Sequence, residues 1–152
     1  MTELAEDKRR YVAERCAHFN LKKAVRAVTQ RYDEALSEVD LRISQFTLLV
    51  SSSLAGPSSI GDLAEQLAMD RTTLSRNVQP LVKRGLLELT RSPADSRTRL
   101  VEITSAGEEL LAQAYPLWEE AQREVTQTFD EDAYDHLLKD MRTLTAAGEA
   151  LS

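Results

Sequence analysis

Within seven consecutive positions the chain places Arg71, Thr72, Thr73, Ser75, Arg76 and Asn77. Guanidinium groups can fork onto a guanine edge, and short hydroxyl or amide side chains can reach either a base edge or a phosphate. Further on stand Asp95, Ser96 and Arg97, followed by Arg99. An arginine at the tip of a narrow turn can enter a minor groove, where negative potential is concentrated. A carboxylate is repelled by phosphate, so Asp95 is expected to orient Arg97 through a charge-assisted hydrogen bond rather than to touch a polyanion itself. Arg76 is expected to contact bases, and Thr72 or Thr73 to position on the backbone, while Arg71 stays open between the two roles. Each set has a plainer alternative, a solvated helix face for the first and an exposed ion pair for the second.

Other reactive side chains are sparse. The two histidines, His18 and His136, are far apart in sequence and neither belongs to a metal-spaced cluster. Neither a glycine-rich phosphate loop nor a G-x-S-x-G or H-E-x-x-H motif occurs among the five glycines. No catalytic residue, cofactor or metal is therefore expected, and the chain is not read as an enzyme. Cys16 is the only cysteine, which excludes an internal disulfide and suits a reducing compartment. No apolar run is long enough for a membrane span, and the charged start lacks a signal-type apolar segment, so the expected location is the cytoplasm, with no membrane partner.

Net charge argues the other way from the arginine cluster, because a formal balance of -6 does not favour a polyanion. The distribution resolves the conflict. Met69 to Val101 holds seven basic residues against three acidic ones, whereas Glu102 to Ser152 holds three against twelve. One basic stretch sits in an acidic, solvated remainder.

The elements that must position these residues follow from periodicity. Leu21, Ala24, Val25, Val28, Tyr32 and Leu36 recur at helical spacing and predict a long amphipathic first helix. Ser44 is the expected cap of a second helix, with Phe46, Leu49, Val50 and Leu54 inward and Gly56-Pro57 ending it. Ser59 and Asp62 predict a capping box for a short third helix, and Asp70 caps a fourth whose Leu74, Val78, Leu81 and Val82 face the core and which ends at Gly85. Two short helices so closely joined read as helix-turn-helix, with Arg71 to Asn77 opening the second. Leu86 to Thr90 and Arg99 to Ile103 read as two strands of a hairpin. Thr104 caps a long helix containing Pro116, and Asp130 starts a last one with Tyr134, Leu137, Leu138, Met141 and Leu144 inward. The fold class is mainly α (α+β), a winged helix-turn-helix with a two-stranded β wing. Residues 41–104 form the DNA-binding region, and residues 1–40 with 105–152 form long terminal helices whose apolar stripe exceeds what a small winged core can cover. That excess predicts a homodimer.

In this order and spacing, Leu41-Arg42-Ile43-Ser44-Gln45-Phe46, Ile60-Gly61-Asp62-Leu63-Ala64, Arg71-Thr72-Thr73-Leu74-Ser75-Arg76 and Leu81-Val82-Lys83-Arg84-Gly85-Leu86 resemble the MarR family of bacterial regulators. Asp95-Ser96-Arg97-Thr98-Arg99 followed by Ile103-Thr104-Ser105-Ala106-Gly107 is the most specific part of the match. The resemblance implies a homodimer with interlocked terminal helices, a near-palindromic operator on double-stranded DNA, and repression until an effector binds. Two recognition helices would then need half-sites roughly 34 Å apart. Pro80 departs from the pattern, since a proline inside the recognition helix removes a backbone bond to Arg76.

The resemblance also implies an effector, a small aromatic or phenolic anion in a crevice between the terminal helices and the winged region. Phe46 and Trp118 are its candidate lining, with core packing the competing reading. Some relatives sense oxidants through a cysteine near the start of the first helix. Cys16, with Arg15, His18, Lys22 and Lys23 nearby in sequence, is the candidate, and a small residue packed between dimer helices is the alternative. A winged module that docks on a protein rather than DNA is the remaining rival. A salt-sensitive affinity for duplex DNA separates the two.

Overall fold

The computed structural model describes residues 4–95 and 97–150; Ser96, at the expected wing tip, lies outside the described residues. Two helices precede the winged region. α1 spans Glu6–Arg15 and α2 spans Ala17–Leu36, separated at Cys16 by extended backbone. Periodicity from Leu21 onward finds only part of α2. α1 buries no residue, so it carries no apolar stripe to read. α2 is itself buried only near its C-terminal end, at Tyr32 and Leu36, where it crosses α6 (Ser105–Thr126). There Arg31 pairs with Glu124, and the Tyr32 hydroxyl donates to Gln122, whose amide donates to Tyr134 at 2.9 Å. The guanidinium beside it holds the Glu124 carboxyl below its ordinary range, and burial pushes the Tyr32 phenol up.

A 3₁₀ turn at Ser37–Val39 and a left-handed Asp40 lead into α3, Ile43–Ala55. Ser44 is not its cap. The Ile43 N–H donates to the Asp33 carboxylate of α2 at 2.7 Å, and the Gln45 side chain accepts from the Arg42 N–H at 3.0 Å. Arg42 and Gln45 thus supply a local capping box, while the bond from Asp33 comes from another helix, which local sequence cannot specify. Leu54 is also not inward; it is 80% exposed, while Leu48 is buried beside Phe46 and Leu49. Leu54 lies five residues beyond Leu49, about 140° around the helix, outside the arc that the core covers.

β1 (Ser58–Ser59), α4 (Ile60–Gln66), α5 (Arg71–Lys83), β2 (Leu87–Arg91) and β3 (Arg99–Ile103) complete the winged region. The sheet has three antiparallel strands in the order β1-β3-β2, one more than the expected two-stranded wing. Two serines offer no alternation to read, and β1 exists because Ser58 and Ser59 meet Val101 and Leu100. The core joins Leu36, Leu49, Leu63, Leu74, Leu81 and Val101 around α3, and α6 closes it through Ala114.

Thr104 ties the wing to α6. Its hydroxyl accepts from the Gly107 N–H at 3.1 Å and reaches the Gly85 carbonyl at 2.6 Å. α6 runs through Pro116 to Thr126, and Asp130 caps α7, Glu131–Glu149. Tyr134, Leu137 and Leu138 are half-buried, but Met141 and Leu144 are exposed in the single chain. No helix among the described residues is long and apolar enough to cross a membrane.

Candidate nucleic-acid interface

α5 is held by two caps and a turn. Ser59 accepts from the Asp62 N–H at 3.1 Å while Asp62 accepts from the Ser59 hydroxyl at 2.7 Å, so α4 starts with the expected capping box. α4 stops at a left-handed Ala68, with the Met69 N–H donating to the Ala64 carbonyl at 2.8 Å and the Ala68 N–H to Glu65 at 3.1 Å. This pair of bonds satisfies the carbonyls at the helix end and swings the chain into α5. Asp70 then accepts from both the N–H of Thr73, at 2.8 Å, and its hydroxyl, at 2.5 Å. Those bonds hold the Asp70 carboxyl below its ordinary value of 3.8. At the other end the Leu86 and Gly85 N–H groups donate to Leu81 and Val82, with Gly85 in the left-handed region at φ +72°. Pro80 is exposed and α5 passes through it to Lys83.

Leu74, Val78 and Leu81 are fully buried, and this stripe decides what α5 presents. Arg71, Thr72, Thr73 and Arg76 are exposed, with Ser75 and Asn77 half-buried at the margin. All six residues singled out from sequence therefore sit in the first two turns of one helix. Thr73 is partly committed, because its hydroxyl donates to Asp70.

In the wing the Ser92 N–H donates to the Thr98 carbonyl at 3.0 Å, and the Thr98 N–H to the Asp95 carbonyl at 2.9 Å. The Asp95 carboxylate accepts from the Arg97 N–H and from the Thr98 hydroxyl, both at 3.0 Å. Asp95 therefore fixes Arg97 through the main chain, where an ion pair with the guanidinium was the other prospect. Arg97 itself is exposed.

Arg91 was not singled out from sequence, yet it stands directly opposite Arg99 across the β2-β3 ladder. Like charges in that position destabilise a hairpin. The signal for it becomes visible only once the strand register is known. Among the described residues Arg71, Arg76, Arg91, Arg97 and Arg99 make no ion pair, whereas Arg10, Arg31, Arg84 and Arg123 each meet a carboxylate. An unneutralised arginine set on one helix and one hairpin is chemically suited to exchange counterions for a polyanion.

The remaining candidates lie elsewhere. Phe46 and Trp118 stack with ring centroids 5.9 Å apart and join α3 to α6, with Phe46 in the core. A separate open cleft of about 540 Å³ lies between α2, α3 and α5, lined in part by Asp33, Arg42, Pro80 and Arg84. Cys16 is half-buried at the α1–α2 junction, where its carbonyl accepts from both the N–H and the side chain of Asn20.

A sequence profile of the MarR family matches residues 39–98. Multiple antibiotic resistance protein MarR of Escherichia coli is 32% identical over 127 residues, covering 78% of this chain and 88% of the relative. Transcriptional repressor NicR of Pseudomonas putida is 32% identical over 105 residues, covering 69% of this chain and 66% of the relative. The M. tuberculosis transcriptional regulator MosR, solved in complex with DNA, superposes with a TM-score of 0.82 at 33% identity, over 90% of this chain and 98% of that one. On these likenesses, which span most of its length in sequence and in structure, the chain belongs to the MarR family of DNA-binding transcriptional regulators.

Proposed function

We propose that this chain acts in the cytoplasm as a homodimeric repressor that binds a near-palindromic operator and releases it when a small effector binds. The observation that carries the reading is the capped α5, whose exposed Arg71, Thr72 and Arg76 lie on the same molecule as a wing whose arginines have no carboxylate partner among the described residues. Arg76 reads base edges in the major groove, Ser75 and Asn77 support it at the margin, and Arg97 enters the minor groove. Residues 41–104 do this work, while residues 1–40 and 105–152 pair two copies. Repression is the sense of control that the relative NicR carries in its name.

For the effector, the cleft between α2, α3 and α5 offers Arg42 and Arg84 to a small aromatic or phenolic anion. Arg84 follows the last residue of α5, and its guanidinium donates to the Asp40 carbonyl at 2.6 Å. An anion that draws Arg84 away from Asp40 would loosen the end of the reading helix.

Fluorescence titration with random-sequence duplex DNA tests the reading. Weak affinity that falls steeply between about 50 and 200 mM salt is expected. Absent or salt-insensitive binding, with Arg76→Ala and Arg97→Ala both silent, would establish a protein-docking module instead.

A further inference from the structure

Arg71 opens the reading helix and is exposed, but its guanidinium reaches back to α4. Its guanidinium lies against Gly61 of α4, where a Cβ would be 3.1 Å from Nη2 and 3.3 Å from Cζ. Gly61 has no positive φ to account for it, so its local value is the space it leaves for Arg71. From there Arg71 lines a cleft of about 330 Å³ together with Ser59, Thr98 and Arg99.

We propose that Arg71 and Arg99 together seat a single phosphate of the DNA backbone in this cleft beside Gly61, and that Arg71 is a positioning residue rather than a base reader. The proposal rests on the DNA-binding reading above. A helix in the major groove and a wing in the adjacent minor groove straddle one sugar-phosphate strand, because that strand is what divides the grooves. Whatever lies between helix and wing must meet backbone, and this cleft lies there. No carboxylate lines it, and neither arginine makes an ion pair among the described residues. The acids adjacent in sequence, Asp62 beside Gly61 and Asp70 beside Arg71, are occupied in capping α4 and α5. Arg91 opposes Arg99 in the ladder, so the hairpin holds two like charges side by side, neither in an ion pair among the described residues. A phosphodiester relieves that repulsion and fixes the depth at which Arg76 meets the bases.

The test is the salt dependence of binding to random-sequence duplex DNA by the full chain. Each phosphate contact contributes close to one to the slope of log affinity against log salt. Arg71→Ala and Arg99→Ala should each lower the slope by about 1, and the double variant should lower it by no more than either single one. Gly61→Ala should weaken binding in the presence of Arg71 and have no effect in the Arg71→Ala background. Thermal melts verify folding, and Arg71→Gln takes the place of any alanine variant that fails to fold. A loss of about 2 in the double variant would mean two separate phosphates and overturn the shared seat. Normal wild-type binding with an unchanged slope in Arg71→Ala would overturn the seat alone, whereas no wild-type binding would overturn the DNA reading with it. Inorganic phosphate at constant ionic strength should leave the melting temperature unchanged. A rise that Arg71→Ala abolishes would assign the cleft to a free anion instead of DNA.

Discussion

Arg76 and Arg97 differ in what holds them, and that difference sets what each should lose on mutation. Arg76 projects from a helix fixed by buried Leu74 and Val78, which suits it to the base-reading role proposed for it. Arg76→Ala is expected to cost about 1–3 kcal/mol on the operator and to relax base preference, measured against random DNA. Arg97 sits on a turn held by hydrogen bonds of Ser92, Asp95 and Thr98 rather than by buried side chains, and Arg97→Ala should weaken operator and random DNA to a similar degree. Asp70 makes a pH-dependent contribution. Its folded carboxyl titrates below 3.8, so the stability it lends is complete above that value and is lost as pH falls through the lower folded value. Thermal melts from neutral pH downward should show an acid-side loss that Asp70→Asn removes. All of these residues were legible in sequence because side-chain type and helical spacing are local properties. Arg91 was not, since its meaning depends on facing Arg99.

At the scale of elements, the capped starts of α4, α5, α6 and α7 were readable because Ser59, Asp70, Thr104 and Asp130 each bond within three residues. The bond from Asp33 at the start of α3 was not, because it reaches across from α2. Two junctions give predictions. Ala68 holds φ +49° at the end of α4, where a Cβ is strained, and Ala68→Gly should raise unfolding free energy by about 1 kcal/mol in denaturant titration. Gly107 sits where α6 starts against Leu86, just before β2, and Ile103 of β3. A Cβ there would collide with the Leu86 carbonyl oxygen and the Ile103 side chain, so Gly107→Ala should shift the helix start and lower stability by about 1–3 kcal/mol. Backbone against backbone leaves no flexible group to move aside. The Thr104-Ser105-Ala106-Gly107 run, met first as part of a family resemblance, thereby acquires a physical reason: a cap at its first position and close approach at its last.

For the whole molecule, exposed apolar side chains are unevenly placed. Of the twelve large hydrophobics exposed among the described residues, eleven lie on the terminal helices and their flanks, Val25, Tyr11 and Leu144 among them, and only Leu54 lies in the winged region. A surface so biased is suited to a second copy of the chain. Val25→Glu combined with Leu144→Glu should shift the sedimentation coefficient to that of a monomer. Operator affinity should fall by about 100-fold, because two linked half-site contacts become one. A variant that stays dimeric with both glutamates in place would exclude these helix faces from the interface.

The sequence by itself determined the winged architecture, the position of the reading helix, the caps that start four helices and the candidate arginines, since each depends on side chains within a turn or two of one another. Only the tertiary structure decided that Asp33 bonds to the start of α3, that Ser58 and Ser59 form a third strand, and that Leu54 faces away from the core. It also placed Arg71 against Gly61 and Arg91 opposite Arg99. Those features join residues distant in the chain, and only packing and strand register bring such residues together. On the proposed reading, the arginines divide into a base reader on α5, a groove probe on the wing and a phosphate seat between them.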